Sequence, residues 1–375
     1  MNVLINLSSL KLGGGQNVGL NFVSTLKHVN TDEFNFFFIT AKNSLIHRYL
    51  VDNNFPHIYV YPKNPILRTI KELIYSKNIL KKHSIDIVYN YFGVDLIPVN
   101  IKRVMGSADS NLYFPELDFW IEYNGIQKLI RKIIDLNRIW GLKRSTAIVF
   151  ENGLMQKKGK ELFDLKETIL IKPSVKDFKS YDNDLLFSIP KDTVIGLFFC
   201  GWQKNKNYMM IPKIAKELKF QNIKYHFVIT APENNSFEHK EFLTALKRNN
   251  IEDMVSIIGP VDKKDISKLY KSINHIFLLS KLESFSNNII EAWFYKKPLI
   301  MSNDDWAKYL CKNSACYVDR NSSESLVNII KRLINDEDFK NQLILEGNKI
   351  LKTYPSVEER TINELNYLKY VCENY

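Results

Sequence analysis

Two glutamates, Glu283 and Glu291, stand eight positions apart in the stretch SKLESFSNNIIEA, Ser280 to Ala292. Between them lie Ser284, Phe285, Ser286, Asn287 and Asn288, whose Ser and Asn side chains can cap a helix reading NIIEAWFYKK. A helix starting near Asn287 leaves its first N–H groups without intrahelical partners, and its dipole adds positive potential there. Glu291 then projects from one turn inside the helix, and Glu283 stays in the loop before it. The carboxylates would bracket an anion site instead of stacking as an acid–base pair. That layout suits a ligand with phosphates in the middle and hydroxyl-rich sugars at both ends. The plain alternative for Glu291 is a carboxylate on a helix surface.

Two other stretches offer complementary chemistry. In LKLGGGQNVG, Gly13, Gly14 and Gly15 precede Gln16 and a helix expected over Val18–His28. Bare backbone amides at such a place approach an anion closely, although neither a dinucleotide-binding nor a Walker spacing is met, and a flexible turn explains the glycines equally well. In CGWQKNKNYMM, Gly201 ends an apolar run, Lys204 and Lys206 follow, and Asn207 is placed to cap a helix starting near Tyr208. A lysine there can hold a phosphate as a point charge, while solvated surface lysines are the ordinary alternative.

These residues need strands that end where they begin. Short β-branched or aromatic runs at 2–7, 34–40, 57–61, 85–91, 102–106 and 146–151 alternate with helical patterns, notably Ile66–Lys82 and Ile126–Gly141. After the polar stretch KPSVKDFKSYDNDLLFSIPKD, a second series places strands at 194–201, 225–230, 255–259, 275–280 and 298–302. Its helices are expected near 208–219, 236–249, 264–272, 287–296 and 322–334. The pattern predicts an α/β protein of two doubly wound, Rossmann-like domains: 1–172, a linker over 173–190, and 191–355. A last helix over 356–375 has packing back on the first domain as one option. Ligands of such sheets bind outside the carboxyl ends of the strands, so the three loops are expected at the mouth of a cleft.

Composition narrows the partners. The chain of 375 residues is 45% hydrophobic and 25% charged, as in a globular protein, and carries a net charge of +11, which favours an anionic partner. No zinc-finger or RNA-recognition signature singles out nucleic acid. No apolar run approaches the roughly 20 residues that span a bilayer, and the first residues lack the basic region of a secretory signal, so a cytoplasmic location is expected. Cys200, Cys311, Cys316 and Cys372 are scattered and suggest buried thiols, not a disulfide framework or metal site.

The stretch ESFSNNIIEA resembles the E-x7-E motif of retaining glycosyltransferases of the GT-B fold, in glycosyltransferase family 4. The resemblance covers nearly the whole second half, through KNKNYMMIPKIAKEL, the run from VSIIGPVDKK to KKPLIMS, and the helical tail; in the first half it rests mainly on NVLINLSSLKLGGGQNVGLNFVSTL. The resemblance implies that Glu283 contacts donor-sugar hydroxyls and that Glu291 binds the nucleoside ribose. It implies that the backbone near Ser286 to Asn288 binds the diphosphate, that Lys206 balances leaving-group charge, and that Gly14 and Gly15 lie near the phosphates. The chain departs from the family where an arginine usually precedes the lysine: Trp202 and Gln203 stand there, and Lys204 is a candidate substitute. A histidine often found after the strand matching KRVMG is absent, with Ser107 and Asp109 nearby, and ITAPEN lacks the glycines common after its strand.

The chemistry so implied is transfer of a sugar from a nucleotide-diphosphate sugar to a saccharide hydroxyl with retention. It passes through an oxocarbenium-like state stabilised by Lys206 and the helix start. No metal or other cofactor is expected; the acidic triplets at 182–184 and 336–338 are read as structural. Two basic stretches, 62–82 and 126–144, mix Lys and Arg with Ile, Leu, Tyr and Trp at helical spacing. They read either as ordinary helices or as helices lying on an anionic membrane surface. The second reading makes a lipid-linked saccharide the natural acceptor, as in bacterial capsule or O-antigen assembly on the inner face of the membrane. The alternatives are a nucleotide-sugar 2-epimerase on the same fold and a non-catalytic partner in a polysaccharide assembly complex.

Overall fold

The computed structural model describes residues 1–11, 13–93, 100–121, 123–175 and 192–375. The chain divides into two units, Met1–Lys176 with Tyr354–Tyr375, and Asp177–Thr353. Most of the linker expected over 173–190, with the acidic triplet at 182–184, lies outside the described residues.

The first unit is a parallel sheet wrapped by helices. In chain order its elements are β1 (Asn2–Leu7), α1 (Gly13–Thr25), β2 (Asn35–Ala41), α2 (Leu45–Asp52), β3 (Ile58–Tyr61), α3 (Pro65–Lys82), β4 (Ile87–Asn90), β5 (Lys102–Ser107), α4 (Gly125–Arg144), β6 (Ala147–Phe150), α5 (Gly153–Phe163) and β7 (Thr168–Leu170). The strands order as β3-β2-β1-β4-β5-β6-β7, with the reversal between β1 and β4. Alternation along β1 sends Val3, Ile5 and Leu7 to a core under α1 and α2, and Leu4 to a second core under α3.

The second unit holds β8 (Val194–Phe198), α6 (Met210–Phe220), β9 (Tyr225–Ile229), α7 (Phe237–Arg248), β10 (Val255–Ile257), α8 (Ile266–Lys271), β11 (His275–Leu278), α9 (Asn287–Phe294), β12 (Leu299–Ser302), α10 (Asp305–Cys311), β13 (Ala315–Val318), α11 (Ser323–Asn335) and α12 (Glu337–Leu351). Its six parallel strands order as β10-β9-β8-β11-β12-β13, with the reversal between β8 and β11. Asp336, from the second acidic triplet, caps α12 by accepting from the Phe339 N–H at 2.9 Å.

The last helix, α13 (Val357–Asn374), belongs to the first unit. It starts on a capping box made by Ser356 and Glu359. Its buried Arg360 donates to Glu151 at 2.7 Å and to Glu364 at 3.0 Å, and the Tyr91 hydroxyl donates to Glu364 at 3.1 Å. Leu365, Leu368 and Val371 join the core under α1.

Three local readings need correction. Helix α1 begins at Gly13 and ends at Thr25, so the glycines form its first turn and His28 lies beyond it. Gly13 has φ +70°, a conformation glycine adopts without strain, and a Cβ at Gly19 would sit 2.6 Å from Leu10, so glycine is what lets α1 lie against that loop. Helix α6 begins at Met210, and Asn207 does not cap it: its backbone is left-handed at φ 58°, and its amide donates to the Arg320 carbonyl at 2.6 Å. Strands β7 and β13 extend the sheets beyond the expected set.

Candidate functional site

The reversal of strand order between β8 and β11 separates the connections that leave their carboxyl ends, which is where an α/β sheet opens a crevice. From β8 the chain runs through Phe199, Cys200 and Gly201 into a tight 3-10 turn, Lys204–Lys206. From β11 it runs through Leu279 and Ser280 to Glu283 and then into α9. One backbone bond and one from a side chain to the backbone hold the connections side by side. The Lys281 N–H donates to the Asn205 carbonyl at 2.9 Å, and the Asn288 amide donates to the Phe199 carbonyl, also at 2.9 Å.

This frame brings Lys206 and Glu283, 77 positions apart, into a direct ion pair through Nζ and Oε1. The two side chains keep only 21% and 15% of their surface, so the pair is poorly screened by water while still open to a ligand. Beneath it the Cys200 thiol is pushed up to about 12 by burial, with Lys206 opposing and Glu283 reinforcing the shift. Lys204, on the same turn, is exposed, and so is Gln203. The Gln203 amide lies over Gly201, where a Cβ would meet its oxygen at 3.1 Å.

Helix α9 starts with Ser286 in extended backbone, φ −116° and ψ 124°, and the Ser286 hydroxyl makes no capping bond. Ser284, Phe285, Asn287 and Asn288 are half-buried around this start, and Ser286 is buried. The first N–H groups of the helix therefore keep the positive potential that a capping oxygen would offset. Glu291, one turn in, is buried and accepts from the Tyr270 hydroxyl at 2.8 Å. Burial, and then the Glu291 carboxylate, hold the Tyr270 hydroxyl well above its ordinary range, so it stays a donor. Tyr270 stacks on Tyr295 at 4.8 Å, and this fixes its orientation.

Trp202, where the arginine was expected, has a packing role. Its indole donates to the Pro232 carbonyl at 2.7 Å and lies against His239, with ring centroids 5.1 Å apart. The ITAPEN loop is thereby tied to the 201–206 loop, and Thr230 adds a bond to the Cys200 carbonyl at 3.2 Å. Tyr270 and Asn205 were not foreseen. Tyr270 sits in an ordinary helical pattern 21 positions from its partner, and Asn205 acts through its backbone, which carries no sequence signal.

The glycine stretch belongs to the first unit and stands at the carboxyl end of β1. Gly14 is exposed, Gly15 is half-buried, and Gln16 is buried with its amide donating to the Lys11 carbonyl at 2.6 Å. Gln16 thus closes its own loop. Among the described residues no three His, Cys, Asp or Glu side chains gather into a set able to hold a metal ion.

The segment that carries this arrangement has known relatives. Residues 187–350 match the family model described as glycosyl transferases group 1. Over whole chains the fold is that of GT-B glycosyltransferases, with two Rossmann-like parallel-sheet units. Sucrose-phosphate synthase from Thermosynechococcus elongatus is similar at 13% identity and a TM-score of 0.74, with 100% of both chains covered. A glycosyltransferase from Rickettsia africae is similar at 16% and 0.73, covering 100% of this chain and 99% of that one. Anabaena HepE, solved in complex with UDP and glucose, is similar at 14% and 0.69, covering 99% and 100%. No curated protein matches the sequence.

Proposed function

We propose that the protein is a retaining glycosyltransferase of the family 4 type, moving a sugar from a nucleotide-diphosphate sugar to a saccharide hydroxyl. The observation that carries this reading is the Lys206–Glu283 pair beside the uncapped start of α9, inside the segment that matches glycosyl transferases group 1. A UDP complex of a protein with the same fold supports a nucleotide-sugar donor.

In the proposed reaction the bond from the anomeric carbon to the diphosphate oxygen breaks, and a bond to the acceptor oxygen forms on the same face. The acceptor hydroxyl gives its proton to the departing diphosphate oxygen. Negative charge grows on the departing diphosphate. Lys206 and the free N–H groups at Ser286 to Asn288 oppose that charge without having to reorganise. With donor bound, Lys206 turns from Glu283 toward the diphosphate, and Glu283 is released to accept from sugar hydroxyls. Glu291, held by Tyr270, accepts from the ribose. Gly201 and Lys204 border the same diphosphate. Because positive charge comes from the protein, we expect no metal requirement.

The proposed acceptor is a lipid-linked saccharide on the cytoplasmic side of a membrane, in assembly of a bacterial surface polysaccharide. A panel of nucleotide sugars, incubated with membrane lipid extract with and without chelator, tests the reading. Incorporation of one sugar into lipid-extractable product, insensitive to chelator, is expected. Strict metal dependence, or conversion of the nucleotide sugar into an epimer without any acceptor, would overturn it.

A further inference from the structure

The first unit has helices turned inside out. Along α4, Ile126, Leu129, Ile130, Ile133 and Trp140 fall on one stripe at helical spacing, and that stripe faces solvent, with Ile126 77% and Trp140 45% exposed. The polar side of α4 faces the protein. Asp135 accepts from Asn111 at 2.8 Å and from the Trp120 indole at 2.6 Å, and Arg138 pairs with Asp109 at 3.1 Å. Of the 20 residues of α4 only Gly141 and Leu142 are buried. A helix placed this way leaves its apolar side unsatisfied by its own domain.

Helix α3 repeats the arrangement. Glu72 and Ser76 point inward, bonded to Asn6 at 3.1 Å and to the Tyr61 hydroxyl at 2.8 Å, while Leu67, Ile70 and Ile74 are exposed. For α3 the cause lies in the sheet, whose register puts Asn6 and Asn90, both buried, on the face that it covers; for α4 it lies in Asp109, Asn111 and Trp120, which meet its polar side. Since α3 packs over Leu4 and Val88, and the end of α4 lies over Asn90, Arg103 and Met105, both helices lie on one face of the first unit. A trough of about 820 Å³ between β3 and α3, lined by Tyr59, Tyr61, Leu67, Ile70 and Ile74, continues the apolar surface.

Charge selects the occupant. Stretches 62–82 and 126–144 hold twelve Lys or Arg and two acidic residues, so ten of the chain's eleven net positive charges sit on these two helices and their ends. Apolar side chains facing out and flanked by basic ones match the boundary between acyl chains and anionic headgroups. Among the described residues no helix is long and apolar enough to cross a membrane, so the helices would lie on the surface. We propose that the α3–α4 face docks the protein on an anionic phospholipid leaflet, with the α4 stripe entering the headgroup boundary. This supplies the membrane partner of the function proposed above, yet docking itself needs no transfer chemistry.

The test is cosedimentation of the full chain with phosphatidylglycerol-containing vesicles and with pure phosphatidylcholine vesicles, alongside the oligomeric state without vesicles. Expected are binding to the anionic vesicles only, weakening with salt, and a blue shift of the tryptophan emission that Trp140→Phe reduces. Ile126→Glu with Ile130→Glu should lower vesicle affinity at least tenfold, and Lys132→Gln with Lys143→Gln by about fivefold per charge removed. Unchanged nucleotide-sugar binding and circular dichroism in these variants would show that the second unit and the fold are intact, so loss of docking and loss of transfer are read separately. Absence of wild-type binding to anionic vesicles overturns the proposal, as does a dimer that Ile130→Glu turns into a monomer, which would make this face a contact between copies.

Discussion

Helices α9 and α4 both follow parallel strands of Rossmann-like sheets, yet they relate to their domains in opposite ways. In α9, Ile289, Ile290, Ala292 and Trp293 are buried, and its polar N-terminal end is left open beside the Lys206–Glu283 pair. In α4, Asp135 and Arg138 are turned to the protein, and Ile126, Leu129, Ile130 and Ile133 are left open. The difference follows from what lies beneath each helix. A helix over an apolar sheet face is anchored by its side and can offer its end, where backbone N–H groups meet an anion. A helix whose inward neighbours are Asp109, Asn111 and the Trp120 indole gives them its polar side, and its apolar side is left for another surface.

Stability separates the two most widely. Ile289→Ala removes a side chain with no exposed surface and is expected to cost about 2–5 kcal/mol in denaturant unfolding of the second unit. A cost under 1 kcal/mol would mean that α9 is not anchored as described. Next comes Lys206→Ala, expected to lower kcat about 10²–10³-fold, the effect of losing one charge-stabilising donor, with vesicle binding unchanged. Acid should act on the second unit through His275, whose imidazole is pushed down to about 3, by burial first and then by Lys297. Because the unfolded state takes up a proton below about pH 6.5 and the folded state does not, stability should fall between about pH 6.5 and 3. The limiting slope is about 1.4 kcal/mol per pH unit, and His275→Asn should remove it in pH-dependent melts. The smallest effect belongs to Ile130→Ala on α4, expected within about 0.5 kcal/mol in the same unfolding measurement.

Much of the fold was legible because buried parallel strands are written as short runs of β-branched and aromatic residues; β1 occupies the 2–7 predicted for it. Strands β7 and β13, Thr168–Leu170 and Ala315–Val318, were not; both are edge strands, each paired on one side only. The start of α1 was misplaced because three glycines oppose helix by propensity, while contact with Leu10 rewards a small residue at Gly19. At the site, the residue types around Glu283 and Lys206 could be read from local sequence. Their contact could not, because it depends on β8 lying beside β11. The same limit hid the orientation of α4: its two faces are plain in the sequence, but which one faces inward is decided by where Asp109, Asn111 and Trp120 fold against it.

The most direct test of the Lys206–Glu283 centre is the anomeric configuration of the product, determined by NMR once donor and acceptor are known, together with the rate of Glu283→Ala. We expect a product with the same anomeric configuration as the donor, and little turnover by the variant. An inverted product, or wild-type turnover by Glu283→Ala, would contradict the proposal.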